Sequence, residues 1–264
     1  MFKQFTFPVF LLAAFTLFVA GDCNREDDDL PELETGTLEV TYKAVFAGET
    51  FSTGAQTYDY DGSGSTTVRF DKFDFFVHEV NASGSGTEDN ELDEVDFFDF
   101  TFLDAEAAAN GFTRIYSNVP VGNYSGFNLK VGVPSDENDR FCTECADTHP
   151  LSRESHWWPA WESYIFQKLE GKADTNGDGV TDDVIFSYHT GTDAAARSVN
   201  LMTDFAVNGG ETTRLTILFD VQQLFVRGSD FYTLDTGTHS DSDAAMAMIK
   251  GFMDQYPSAF SVAE

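Results

Sequence analysis

The sequence predicts a mainly β fold: an antiparallel β-sandwich, Ig-like or jelly-roll-like, with one short helix and one C-terminal helix. Three observations carry this prediction. Hydrophobic residues alternate at period two in several separate segments. Clusters of Gly, Asn, Asp, Pro and Ser punctuate those segments as turns. The chain also holds 27 phenylalanines, some in adjacent pairs such as Phe75-Phe76 and Phe97-Phe98, which is aromatic volume suited to filling the space between two sheets.

The first residues read as targeting rather than fold. Lys3 supplies a positive charge, and Phe7 to Ala20 is an apolar run too short to span a membrane comfortably, so residues 1–22 are expected to be a signal peptide. Cys23 directly follows and reads as a lipoprotein cleavage and lipidation site, which would leave the mature chain anchored by lipid and not spanning. The acidic run Asn24 to Asp29 resembles the export signal of Bacteroidetes surface lipoproteins. The other reading of this stretch is an ordinary cleaved signal peptide followed by a solvated acidic linker. Residues 23–35 are taken as that linker and 36–264 as one domain.

Within the domain, Leu38–Phe46, Thr67–Phe70, Asp74–Val80, Ser125–Val133 and Thr213–Val221 alternate as half-buried strands. Turns fall at Asp61–Gly64, Ser83–Gly86, Pro120–Asn123 and Asn208–Gly210. A short helix is expected over Asp104–Asn110. A longer one is expected over Asp241–Tyr256, with Ser240 or Asp241 as its N-cap. Glu162–Glu170 and Val184–His189 read as a hairpin joined by residues 171–183. Pairing Glu170 with Val184 sets His189 opposite Ile165 and brings it toward Trp161 and the segment His156–Trp158. The loop at the far end of the hairpin then lies roughly 20 Å from His189.

Composition narrows function. Forty-five acidic against fifteen basic residues give a formal charge of −30. Such a surface does not suit nucleic-acid phosphates, and it supplies carboxylates for divalent cations. No G-x-S-x-G elbow, H-E-x-x-H helix or P-loop is present, so a hydrolase is disfavoured and a non-enzymatic role is expected. Cys142 and Cys145 form a C-T-E-C pair. In an exported chain this reads first as a small disulfide loop; a zinc site completed by Asp147 and His149 is the alternative.

Two segments carry ligand chemistry. Asp174, Asn176, Asp178, Val180 (through its carbonyl), Asp182 and Asp183 follow the spacing of an abbreviated calcium loop, with Gly179 permitting the tight turn. Ile185 stands where an EF-hand would have its bidentate Glu, so the loop is incomplete by that standard, and any calcium would be structural. The bland reading is a solvated acidic turn. The second segment gathers three of the five histidines, His149, His156 and His189, with all three tryptophans. Imidazole is the side chain best suited to bind a transition metal near neutral pH, and indole is large, oxidisable and rarely placed so densely without a packing or chemical reason. The alternative is that the tryptophans pack one end of the sandwich and the histidines cap polar backbone. His78 and His239 are weaker ligand candidates, each reading first as a satisfied structural histidine.

The combination Trp158-Pro-Ala-Trp161 through Tyr164-Ile-Phe166, then Phe186-Ser-Tyr188-His189-Thr-Gly191, resembles the MbnP-like copper-binding proteins. Phe70–Val77, Val119–Tyr124, Gly132–Pro134, Asn138, His149–Leu151 and Asp220–Phe225 add to the resemblance in order, over most of residues 36–260. The resemblance implies a secreted β-rich protein that binds copper, with His149 and His189 matching family histidines; His156, close in sequence, can supply a third imidazole to Cu(I) or Cu(II). The resemblance also implies a tryptophan, Trp158 or Trp161, oxidised to kynurenine by a di-haem peroxidase-like partner. The function expected is therefore an exported, outer-membrane-anchored copper-binding lipoprotein of the cell surface or periplasm. The alternative is a calcium-stabilised surface binding or adhesion module without a copper site.

Overall fold

Two β-sheets face each other across an aromatic core in the computed structural model, which describes residues 34–84, 89–234, 238–239 (backbone only) and 249–263. The described residues belong to one compact unit, Leu33–Glu264. The signal peptide, Cys23 and most of the acidic linker fall outside the described residues, as do Ser240, Asp241 and most of the expected C-terminal helix. Residues 249–253 are helical, and a further helical turn spans Tyr256–Ala259.

The smaller sheet has five strands, β1 (Thr35–Phe46), β2 (Glu49–Thr50), β6 (Phe112–Pro120), β12 (Thr212–Asp220) and β16 (Phe260–Val262). The larger has nine: β3 (Thr57–Asp59), β4 (Thr67–Gly84), β5 (Asn90–Asp99), β7 (Gly122–Val131), β8 (Trp157–Trp158), β9 (Ser163–Asp174), β10 (Val184–Gly191), β11 (Arg197–Val207) and β15 (Thr238–His239). β13 (Val226–Arg227) and β14 (Asp230–Phe231) make a separate small ribbon. Pairing is mostly antiparallel, as expected, but β1–β12 and β10–β15 run parallel. The first pairing joins strands far apart in the chain, and the second brings a two-residue segment beside the β9–β10 hairpin.

Alternation along β1 buries Leu38, Val40, Tyr42, Ala44 and Phe46 on one face. That face meets the large sheet, with Tyr42 at 4.4 Å from Phe98 and Phe46 at 5.5 Å from Phe70 between ring centroids. Phe219 of β12 sits 5.3 Å from both Phe73 and Phe75 in tilted geometry, which suits the aromatic quadrupole better than flat stacking. The phenylalanines thus fill the space between the sheets.

β4 departs from alternation because both of its faces are covered. Phe73, Phe75 and Val77 face the other sheet, while Asp74, Phe76 and His78 on the outer face are buried too. Over Asp74 and Phe76 the cover comes from the excursion between β7 and β9, which includes two 3₁₀ turns, Pro150–Ser152 and Glu154–His156. His156 of that excursion stands edge-on to Phe76 and Phe97, and the Arg153 guanidinium lies 3.9 Å over the Phe97 ring.

The short helix α1 (Ala105–Asn110) forms as expected, with Asp104 Oδ1 accepting the Ala107 N–H at 2.9 Å as its N-cap. The hairpin register differs from expectation by three residues. Ser187, not Val184, lies opposite Glu170, and His189 pairs with Lys168 rather than Ile165. The reason is that β9 continues four residues past Glu170 to Asp174, so only residues 175–183 form the turn. Asp174, 3% exposed, accepts N–H bonds from Gly177 and Gly179 at 2.7 Å and so ends the strand and starts the loop together.

Candidate metal centre

The outer face of the large sheet carries a polar row across three strands, and the backbone of a fourth pairs beside it. Asp74 of β4 pairs with Lys168 of β9, Lys168 with His189 of β10, and His189 with His239 of β15. In-register neighbours on adjacent strands are separated by about 4.8 Å, so the backbones of His189 and His239 lie side by side. Two residues along the same face, Lys72, Glu170 and Ser187 form a second polar row.

His156 closes one end of this patch from above. Its Nε2–H donates to Asp74 Oδ1 at 2.9 Å, and its Nδ1 accepts from Ser155 Oγ at 3.1 Å. Both residues are deeply buried. Burial drives the His156 imidazole below its usual range, so the ring is neutral near pH 7. Burial alone would raise the Asp74 carboxyl, but the His156 N–H and the Lys72 ammonium, 2.5 Å away, together hold it down and ionised. Lys168 completes the frame by donating to the Ser155 carbonyl at 2.5 Å.

His189 lies at the other end. Its Nε2 is 2.7 Å from Glu170 Oε1 and 3.1 Å from Ser187 Oγ. The hydrogen bond from His189 is the main reason the Glu170 carboxyl sits below its ordinary range. A carboxylate beside a ring nitrogen of histidine is the arrangement that orients metal-binding histidines.

His149 stands apart from this row. Its Nδ1 accepts the Leu151 N–H at 3.1 Å and caps the first 3₁₀ turn, and its ring lines a shallow acidic pocket with Asp93, Glu94 and Glu137. That cap bond holds the Nε2–H tautomer, so a metal on Nε2 would require the cap to break. The three histidines singled out from the sequence therefore do not converge. Among the described residues, no three His, Cys, Asp or Glu side chains lie close enough to hold one ion.

The tryptophans border the same region. Trp157 packs edge-on to Tyr164 at 5.2 Å, Trp158 is 47% exposed, and Trp158 and Trp161 lie 6.0 Å apart with rings tilted by 55°. A Cβ on Gly191 would come within 3.0 Å of the Trp161 ring, so this glycine lets the indole lie against the end of β10. Cys142 and Cys145 are bonded to each other, and the Cys142 N–H donates to the Tyr164 hydroxyl, which in turn donates to the Leu151 carbonyl. The disulfide loop and the His149 turn are thereby tied to one buried tyrosine.

In the acidic loop, the carboxylates turn inward onto backbone. Asp183 Oδ2 accepts from the Thr175 and Asn176 N–H groups at 2.7 and 2.9 Å, and Asp178 Oδ1 accepts from Val180 N–H at 2.9 Å. Asp174 does the same for Gly177 and Gly179. These bonds close the turn, and Asn176 Oδ1 contributes one more to Asp178 N–H.

Sequence reasoning did not single out Asp74, Lys72 or Glu170, and it ranked His239 as a weaker candidate. One signal for Asp74 was present: an acid flanked by Phe73 and Phe75 at a strand centre is a buried charge that requires partners. For His239 no local signal existed, because β15 is two residues long and has no period.

Comparison with known proteins gives a consistent family. A family model described as MbnP matches residues 35–246. A solved structure, MbnP from Methylosinus trichosporium, is similar to this chain with a TM-score of 0.52 and 14% identity, covering 80% of this chain and 82% of that one. No curated protein matches the chain.

Proposed function

The chain belongs to the MbnP family, and from that premise we propose that it is an exported copper-binding protein, not an enzyme, with its copper held on the outer face of the large sheet at His189 and His239. The observation that carries this reading is the backbone pairing of His189 with His239 in the row that also contains Asp74 and Lys168. Two histidines at paired backbone positions suit the low coordination of Cu(I), and Glu170 supplies the outer carboxylate to His189. His156 serves by holding Asp74 at the end of the row, and His149 by capping its turn. Copper, when bound, supplies a redox-active soft metal centre; the chain supplies nitrogen donors and their orientation.

Two finer features of the family resemblance belong to the same proposal. Trp158 or Trp161 is converted to kynurenine by a di-haem peroxidase-like partner; Trp158 is the more accessible of the two. Lipid on Cys23 anchors the protein to the outer membrane, facing the cell surface or periplasm. Among the described residues, no helix is long and apolar enough to cross a membrane.

Copper titration against a competing chelator tests the metal reading. One equivalent should bind to the wild-type chain, and His189→Ala with His239→Ala should abolish it. Undiminished stoichiometry and affinity in that double variant would refute the site. Peptide mass spectrometry on protein from its own host tests the modification: the mass of kynurenine should appear on the peptide carrying Trp158 and Trp161, and an unaltered peptide with the oxidase present would count against it.

Calcium at Asp174, Asn176, Asp178, Val180, Asp182 and Asp183 is a separate proposal, supported by the crowding of four carboxylates in one turn. It predicts a higher melting temperature with calcium than with chelator. Calcium-dependent stability in a chain that binds no copper would favour the surface adhesion module instead.

A further inference from the structure

Three Asn-Gly pairs occur in the sequence, Asn110-Gly111, Asn176-Gly177 and Asn208-Gly209. All three asparagines are exposed, so access to water does not separate them. They share an intramolecular chemistry. The backbone nitrogen of the glycine can attack the asparagine Cγ, because no Cβ on the glycine stands in the way. A C–N bond then forms, Nδ2 leaves as ammonia, and the product is a cyclic succinimide. Water opens that ring at either carbonyl, giving aspartate or isoaspartate with no change of oxidation state.

What the attacking nitrogen is engaged in separates the three pairs. Gly111 N–H donates to the Ala107 carbonyl at 2.9 Å and closes α1. Gly177 N–H donates to Asp174 Oδ1 at 2.7 Å, and the Asn176 amide is itself held at both ends, Oδ1 by the Asp178 N–H and Nδ2 by Asp183 Oδ1. Gly209 N–H has no hydrogen-bond partner among the described residues, and the Asn208 side chain is engaged only through Nδ2, which donates to Glu211 Oε2 at 3.0 Å. A hydrogen bond that must break before attack is worth about tenfold in rate. The turn holding Asn208 also docks the start of β1. Gly210 N–H donates to the Thr35 carbonyl and Thr37 N–H to the Glu211 carbonyl, each at 2.9 Å. Gly36 packs so closely on the Asn208 carbonyl that a Cβ there would collide with it, and the same carbonyl accepts the Glu211 N–H at 3.2 Å. Isoaspartate routes the main chain through Cγ, which adds a backbone carbon to the turn and turns that carbonyl into a free carboxylate.

We propose that Asn208-Gly209 is a self-modifying site, deamidating through the succinimide with water as co-reactant, and that isoaspartate at this position loosens the start of β1 from the β11–β12 turn. Peptide mass spectrometry on the full chain, aged in mildly alkaline buffer, should find deamidation at Asn208 about tenfold faster than at Asn110 or Asn176. In urea, where the protecting bonds are gone, the three rates should come together. Aged protein should melt at a lower temperature than fresh protein, and Asn208→Ser should lose both the conversion and the shift on ageing. Equal rates at the three sites in the folded chain, or unequal rates preserved in urea, would overturn the proposal. So would an unchanged melting temperature in protein already converted to isoaspartate at Asn208.

Discussion

At the scale of single residues, the candidate histidines divide by which nitrogen is engaged and by what. His149 spends Nδ1 on a backbone N–H, and His156 is buried with both nitrogens engaged, whereas a carboxylate holds Nε2 of His189. His149→Ala should therefore cost about 1 kcal/mol of stability, the value of a lost cap, and leave copper binding unchanged. His156→Ala leaves Asp74 buried with Lys72 as its remaining charged partner and should cost about 3 kcal/mol in a urea titration. The pH dependence follows from the same pair. The His156 pKa is lower folded than unfolded, so the unfolded chain binds the extra proton first, and stability falls as pH drops below about 6.5. Asp74, also lowered, adds a further loss once pH falls below about 4. Melting curves from pH 8 to about pH 2 should show both steps, and His156→Ala should remove the upper one.

At the scale of elements, the long strands were legible and their terminations were not. β1 and β12 each present one face to the core, so period two survives in the sequence. β4 could be read as a strand but not as one covered on both sides, because its outer cover comes from residues more than fifty positions away. The hairpin register was displaced because Asp174 carries a ligand-like side chain yet ends a strand. That strand passes between β4 and β10 at Gly171, where a Cβ would meet the Arg69 carbonyl oxygen at 2.3 Å and the Phe186 ring at 2.6 Å. Gly171→Ala should accordingly destabilise the fold by about 1–3 kcal/mol, the range for overpacking. Equal chemical denaturation midpoints for the two proteins would contradict this packing.

At the scale of the whole molecule, composition foretold the two-sheet aromatic core but not the parallel pairings that close it. β10–β15 is the consequential one, since it sets His239 beside His189 across some fifty residues of chain. The concentration of histidine and tryptophan between His149 and His189 was legible in the sequence, but the structure does not bring those histidines into one converging set of ligands among the described residues. Net charge acts over the whole surface as well. Repulsion among 45 acidic and only 15 basic groups is screened by salt, so melting temperature should rise as sodium chloride is raised from low concentration. A flat response would mean that the charges are already locally paired. The most direct measurement of the central claim is competitive copper titration of the wild-type chain beside His149→Ala, His189→Ala and His239→Ala. One copper should bind in the wild type and in His149→Ala, and binding should be lost in the other two. Full binding in His189→Ala would contradict the assignment.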